Sequence, residues 1–212
     1  MRVHAVVISL LLLGSRIAAE ERIDRRSLVS RHNPVNQSMD PWSPLSVGNG
    51  EFAFTADATG LQTFPELYEN TIPLATLAQW GWHTIPDTII HRLDAAYQTM
   101  DTYGREVQYA ARVNNPAAQW LRANPHRLHL GRIGFDLRHR DGSAAMVKDL
   151  DAIHQSLDLW SGTLTSTFQF DGETVQVIVA CDPEQDRIAV QVHSRLLADR
   201  RLRILIDRKS VV

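Results

Sequence analysis

The chain has 212 residues, of which 44% are hydrophobic and 22% charged, and its formal net charge is −2. This composition excludes a mainly disordered chain, and a chain of this length can bury a core without a metal or a disulfide. The slightly acidic charge argues against nucleic acid as a partner, because proteins that bind a duplex are basic.

The N-terminus has the pattern of a secretory signal peptide over residues 1–19. Arg2 supplies the positive charge, Val3–Leu13 is largely apolar, and Ile17–Ala19 ends in small residues. We predict cleavage after Ala19 and a secreted or periplasmic protein. The apolar stretch is too short to cross a bilayer, and no later segment approaches the roughly 20 apolar residues of a spanning helix. A membrane anchor at the same stretch is the alternative.

Residues 20–33 are charged and polar, which predicts a solvated arm that leads into the fold. A Gly-Asn-Gly sequence centred on Asn49 then separates two apolar runs, Leu45–Val47 and 52–56. Asn-Gly between such runs predicts a β-hairpin, because both central residues tolerate positive φ. A second turn is predicted at Asp57–Gly60.

Two short helices are predicted in the middle of the chain. Residues 88–100 place apolar side chains at helical spacing, although the Thr, His and Asp residues among them lower the intrinsic preference. Residues 115–122 have stronger signals: Asn115 as the cap, Pro116 at the first position and Pro125 beyond the end.

The second half alternates apolar and polar residues with the period of a β-strand. Strands are predicted at six places: 133–137, 157–159, 163–170, 174–179, 188–192 and 202–206. Asp171-Gly172 and similar pairs connect them, as expected for an antiparallel meander with one buried face. The predicted fold is therefore mostly β and antiparallel over residues 34–206, with one or two short helices and a tail at 207–212.

Three tryptophans occur in the loop-rich first half: Trp42, Trp80 and Trp82. Trp80 and Trp82 flank Gly81, and His83 follows them. Flat rings beside polar side chains suit carbohydrate, which presents an apolar C–H face and a polar rim. The alternative is that both rings plug the core beneath a long loop. Trp120 and Trp160 lie within periodic segments and are predicted to belong to the core.

Glycoside cleavage usually requires two carboxyl groups. Four acids lie near the predicted turns: Glu51, Asp57, Glu66 and Glu69. We predict that these are solvated surface acids. His126 and His129 have a spacing that would give a metal two ligands, but no third ligand follows, and Cys181 is a lone cysteine expected to be a buried thiol. With no phosphate loop or dinucleotide fingerprint, the sequence predicts neither a metal nor a cofactor.

Several segments in a fixed order carry a family resemblance: Ser43–Phe54 with its Gly-Asn-Gly, Asp57–Phe64, Gln79–His83, Leu157–Leu164 and Phe170–Gly172. Together they resemble the N-terminal part of six-hairpin glycosidases, the relatives of glycoside hydrolase families 65 and 95, and most of all a secreted bacterial subgroup. The resemblance covers residues from about 28 to 206.

The resemblance implies an antiparallel β super-sandwich that is followed, in full-length members, by an (α/α)6 barrel carrying the acid and base carboxylates. We expect this chain to be a fragment without catalytic residues, whose missing partner is that barrel. Loops of the β domain help to wall the substrate site in such enzymes, which implies five positions for carbohydrate contact: Asn49, Glu51, Trp80, Trp82 and His83. The alternative is a free-standing carbohydrate-binding or structural β-sandwich module.

Overall fold

The computed structural model describes residues 23–84, 91–110, 114–124 and 126–207. The strands within these ranges are β1 Val35–Asn36, β2 Leu45–Gly48, β3 Phe52–Ala56, β4 Thr76–Ala78, β5 Trp82–His83, β6 Gln98–Thr102, β7 Arg105–Tyr109, β8 His126–Arg127, β9 Arg132–Leu137, β10 Leu150–Asp158, β11 Thr163–Phe170, β12 Glu173–Cys181, β13 Ile188–His193 and β14 Leu202–Asp207. The α-helices are α1 Arg25–Ser30 and α2 Pro116–Ala123, and short 3-10 turns lie at Pro65–Tyr68, Leu93–Ala96, Val147–Asp149 and Arg195–Leu197. All the strand pairs are antiparallel, so the predicted mostly β class is confirmed.

The largest sheet has the order β1-β10-β11-β12-β13 and contains the predicted meander. Alternate residues of β11 and β12 are buried because the side chains of a strand point to opposite faces in turn. The buried face packs against the three-stranded sheet β2-β3-β4. The core between them contains large apolar side chains from both sheets, including Phe54, Phe168, Val177 and Leu164.

The described strands form three further two-stranded pairs: β9 with β14, β5 with β8, and β6 with β7. The pair β9–β14 contributes Phe135, Leu137 and Leu202 to the core. The strand predicted at 202–206 is therefore confirmed, as β14.

The predicted hairpin between the two apolar runs near Asn49 is confirmed, but its turn differs from the prediction. Three residues connect β2 to β3, and of these only Gly50 has a positive φ, +96°. Asn49 instead folds its side chain over the turn, where Oδ1 accepts hydrogen bonds from the backbone N–H groups of Glu51 and Phe52 at 3.0 and 2.8 Å. At Asp171 and Gly172 both residues do have positive φ, as predicted.

Asp57 is fully buried, so its prediction as a surface acid is wrong. Its carboxylate accepts hydrogen bonds from the backbone N–H and hydroxyl of Thr59 and from the backbone N–H groups of Thr63 and Phe64, at 2.6–2.9 Å. Burial raises the pKa of Asp57, and these four hydrogen bonds oppose the rise. Asp57 stabilises the turn 57–60 from inside the fold. Its residue type and its neighbours in the sequence did not show that it would be buried. Glu51, Glu66 and Glu69 are exposed, as predicted.

The helix predicted over 88–100 is wrong where the structure describes it. Residues 93–96 form a 3-10 turn, and β6 begins at Gln98 and pairs with β7 across the positive-φ residues Tyr103 and Gly104. Cross-strand pairing overrides the apolar spacing there, and residues 88–90 lie outside the described ranges. The second helix is confirmed as α2, with the side chain of Asn115 accepting a hydrogen bond from Ala118 N–H.

Both predicted terminal segments lie largely outside the described residues. The predicted signal peptide at 1–19 is not covered, and of the tail predicted at 207–212 only Asp207, the last residue of β14, is covered. The predicted arm contains α1, whose first turn is capped by Asp24 accepting a hydrogen bond from Ser27 N–H. Among the helices of the described ranges, none combines the length and the apolar character required to cross a membrane.

Candidate functional site

Three connections meet at one end of the sandwich, which we call the tryptophan end. It comprises residues 49–51, 79–83 and 182–187. Asn49 Nδ2 donates hydrogen bonds to the carbonyl oxygens of Asp182 and Gln185, both at 3.2 Å. Because the backbone N–H of Gln79 also donates to the carbonyl of Glu51 at 2.7 Å, the three connections are fastened to one another.

Trp80 is the most exposed aromatic side chain of the tryptophan end, with 70% of its surface accessible. Its indole Nε1–H donates a 2.9 Å hydrogen bond to the Asp186 carboxylate. Trp82 is also exposed, at 54%. The alternative that both rings plug the core is therefore wrong, and Trp80 presents an exposed ring whose polar edge is hydrogen-bonded.

The strand β5 places Trp82 and His83 beside β8. The register sets Trp82 opposite Arg127 and His83 opposite His126. The Arg127 guanidinium lies 5.0 Å from the centroid of the Trp82 ring, within the range of a cation–π contact. The rings of His83 and His126 meet edge to face with centroids 5.3 Å apart. Trp82 thus has a cation over one face of its ring.

The two predicted contact residues on the β2–β3 tip have different roles in the geometry. Both polar atoms of the Asn49 amide are used within the chain, since Oδ1 accepts two hydrogen bonds and Nδ2 donates two. Glu51 contributes only its backbone to these contacts, and its side chain is exposed. Asn49 therefore shapes the tip, while Glu51 offers a carboxylate to solvent.

Trp160, predicted to belong to the core, is instead 49% exposed. It lies in the β10–β11 turn, where its backbone N–H donates to Asp158 Oδ1 at 3.1 Å. Thr163 is opposite Ala180 in the sheet, so this turn reaches the same end of the sandwich as the loop that begins at Asp182. The apolar period of β10 stops before the turn, and the Ser161-Gly162 pair was the signal that Trp160 lies outside the strand.

Several residues that build the tryptophan end were missed by the sequence analysis: Asp182, Gln185, Asp186, His126 and Arg127. The predicted strands 174–179 and 188–192 leave a connection between them that contains 182–186, but nothing in its composition shows that it binds a tip more than 130 residues earlier in the chain. Antiparallel pairing of the meander strands predicts which connections lie at the same end of the sheet. That pairing is the one signal in the sequence that could have assigned this connection to the tryptophan end.

The opposite end of the sandwich holds a cluster of charged side chains, which we call the ion-pair end: His139, Asp149, Asp171 and Arg201. His139 Nδ1 lies 2.8 Å from Asp171 Oδ1, and its Nε2 lies 3.2 Å from Asp149 Oδ2. Arg201 is paired with the other oxygen of Asp171. Hydrogen bonds to Asp149 and Asp171 raise the pKa of His139.

Side chains of the types that bind metals do not form a metal site in the described ranges. No group of three or more His, Cys, Asp or Glu side chains there is arranged to hold a metal ion. His126 Nδ1 lies 2.6 Å from the Ala123 carbonyl oxygen, and His129 Nδ1 accepts a hydrogen bond from Thr76 N–H at 3.1 Å. Burial lowers the pKa of His129. Cys181 is half-buried and lies 3.4 Å from the Asp182 carbonyl oxygen.

Comparisons with known proteins identify no relative of this chain. No family model, no curated protein and no solved structure matches it.

Proposed function

We propose that this chain is the N-terminal β domain of a secreted glycoside hydrolase and that its tryptophan end walls the carbohydrate site. The observation that carries the proposal is Trp80, whose ring is 70% exposed and whose indole N–H is bound to Asp186. Single exposed apolar side chains are common on protein surfaces, but two tryptophans within three residues, both exposed beside polar groups, are what a ligand-binding patch requires. Hydrogen bonding of the Trp80 ring edge limits its rotation, so less conformational entropy is lost when a ligand stacks on it.

The neighbouring polar groups suit the hydroxyl rim of a sugar. Glu51 offers an acceptor, and His83, half-buried beside Trp82, offers a ring nitrogen. Asn49 contributes indirectly. Its four hydrogen bonds fix the position of Glu51 relative to the connection 182–187, and Asp186 of that connection bonds to the indole of Trp80. The proposed contact residues are therefore Glu51, Trp80, Trp82 and His83, and Asn49, the fifth predicted residue, positions them.

In this proposal the bond-cleaving chemistry belongs to a helical barrel elsewhere in the same polypeptide. Glycosidases place two carboxyl groups about 5 to 10 Å apart across the scissile bond. The exposed carboxylates of the tryptophan end are Glu51 and Glu184, while that of Asp186 is occupied by the indole of Trp80 and that of Asp182 by Arg187. The family resemblance assigns both the acid and the base to the barrel. The chain would thus contribute contacts to the substrate and leave proton transfer to the barrel, without a cofactor.

A free-standing carbohydrate-binding module is the second candidate. It is favoured by the way residues 49–51, 79–83 and 182–187 hold one another in place without any other domain. The two candidates differ in what the gene encodes after Val212. Several hundred codons of paired amphipathic helices there would support the hydrolase domain, and a stop codon in the native transcript would support the module.

A hydrolysis assay tests whether this chain contacts the substrate while the barrel cleaves the bond. The purified chain should release no reducing sugar from a panel of oligosaccharides. In the protein that carries both domains, replacing Trp80 and Trp82 by Ala should lower turnover while the melting temperature stays within a few degrees of the wild type, because both side chains are exposed. Hydrolysis by the chain alone that disappears in Glu51→Gln would overturn the proposal, and so would unchanged turnover in the double variant.

A further inference from the structure

The strand β14 forms an apolar edge of its sheet. It pairs with β9 on one side, and no other described strand pairs with it. Three consecutive aliphatic side chains are exposed along it: Ile204 at 52%, Leu205 at 55% and Ile206 at 65%. Since soluble proteins usually protect such edges with charges, Pro or a covering segment, this edge has the character of an interface.

The hydrogen-bonding direction of this edge follows from the register. Arg138 N–H donates to the Arg201 carbonyl at 2.8 Å, and Arg203 and Leu205 lie opposite Asp136 and Gly134 in the same ladder. Hydrogen-bonded pairs alternate along an antiparallel ladder, so the odd-numbered residues of β14 bond to β9. The backbone groups of Ile204 and Ile206 therefore point away from β9.

We propose that this edge binds the same edge of a second copy of the chain, through antiparallel pairing centred on Leu205. In this register Leu205 lies opposite Leu205 of the second copy. Ile204 and Ile206 lie opposite each other and exchange backbone hydrogen bonds through their outward-pointing groups. Arg203 of each copy lies opposite Asp207 of the other copy, so the paired strands have opposite charges facing each other at both ends.

Charge complementarity across the joined sheets supports a second copy as the occupant. Within one chain Arg203 is 60% exposed at its side chain and already paired with Asp136. Asp207 lies opposite Arg132 in the β9–β14 ladder. Joining two copies produces a row in which Asp136, Arg203, Asp207 of the second copy and Arg132 of the second copy alternate in sign. Sliding the register by two residues places Arg203 opposite Leu205, or Asp207 opposite Leu205, and removes this match.

The area of a single edge is small compared with the roughly 1,600 Å² of a standard stable interface, so the dimer should form in a concentration-dependent way. Sedimentation velocity from about 1 µM to 1 mM should show a shift from monomer to dimer mass. A monomer over the whole range would overturn the proposal.

Charge reversal tests the register directly. Arg203→Glu and Asp207→Arg should each dimerise at least tenfold more weakly than the wild type, because each places like charges opposite each other at both ends of the pairing. An equimolar mixture of the two variants should dimerise again, since both end pairs are then complementary. Circular dichroism checks that each variant is folded. A mixture that stays as monomeric as its components, with both variants folded, would contradict this register.

Disulfide trapping provides a second test in a Cys181→Ser background. Leu205→Cys faces its own copy in a pair that lacks backbone hydrogen bonds, at a Cα distance of about 4.5 Å that a disulfide spans. Ile206→Cys faces Ile204 instead and is the matched control, with similar exposure. Leu205→Cys should cross-link at least tenfold faster under mild oxidation. Equal rates for the two variants would overturn the pairing, as would faster linking of Ile206→Cys.

Discussion

The two ends of the sandwich use charged and aromatic residues in opposite ways. At the ion-pair end the charged groups pair with one another, and the ring of Phe170 is buried beneath His139 and Arg201. At the tryptophan end the indoles of Trp80 and Trp82 are exposed. The ion-pair end therefore has the features of a structural clamp, whereas the tryptophan end has those of a surface kept available for a ligand.

The largest expected effect on stability is at the ion-pair end. Asp171→Ala removes the partner of Arg201, whose side chain is only 11% exposed, and one partner of His139. Leaving a largely buried charged group without its partner should cost about 2–3 kcal/mol of unfolding free energy in urea titrations.

Asp186→Ala is the matched change at the tryptophan end, where it removes one hydrogen bond to Trp80. We expect a loss of about 1 kcal/mol or less, because the indole N–H can bond to water instead. Equal losses of stability in Asp171→Ala and Asp186→Ala would contradict the view that the ion-pair end is structural and the tryptophan end is not.

A smaller effect is expected from two glycines with positive φ, one at each end. Gly172 has φ +77° and Gly50 has φ +96°, and a Cβ added at either position meets no atom within 4 Å. Replacing either by Val should therefore destabilise the fold through backbone strain alone, by about 1–2 kcal/mol. The two variants should differ in function, because only Gly50→Val deforms the tip that carries Glu51. An unchanged melting temperature in Gly172→Val would mean that its φ is not maintained in solution.

The smallest effect is the pH dependence of the ion-pair end. Hydrogen bonds to Asp149 and Asp171 raise the pKa of His139 above its unfolded value of about 6.5. Its stabilisation is therefore fully present below pH 6.5 and is lost as the pH rises through the folded pKa. From pH 6 to 8.5 the melting temperature of the wild type should therefore decline more steeply than that of His139→Gln. His193→Gln, on an exposed position of β13, should retain the wild-type slope, and an unaltered slope in His139→Gln would contradict the assignment.

Much of the fold was predictable because it is encoded locally. The alternation in residues 163–170 and 174–179, and turn pairs such as Asp171-Gly172, follow directly from the two-residue period of a strand and the preference of Gly for positive φ. The helix predicted over 88–100 was wrong because apolar spacing alone does not separate a short helix from a hairpin.

The candidate site was predictable only in part. Trp80 and Trp82 stood out by residue type, but their exposure depends on tertiary packing. The bond from Trp80 to Asp186 spans 106 positions, and contacts of this length leave no local pattern. Asp57 shows the same limit, since its burial depends on a turn that packs on the main sheet and on Gln155, which donates to its carbonyl oxygen.

Ligand-observed NMR with the purified chain tests most directly whether Trp80 contacts carbohydrate. A panel of neutral oligosaccharides should show weak saturation transfer with the wild type. The signal should fall about tenfold in Trp80→Ala, corresponding to the roughly 1.4 kcal/mol of one stacking contact. Trp42→Ala is the control. Trp42 is 68% exposed, but it comes before the first residue of β2, whereas the tryptophan end follows the last residue of that strand. Equal signals in the wild type, Trp80→Ala and Trp42→Ala, or an absence of transfer from every sugar, would contradict the account.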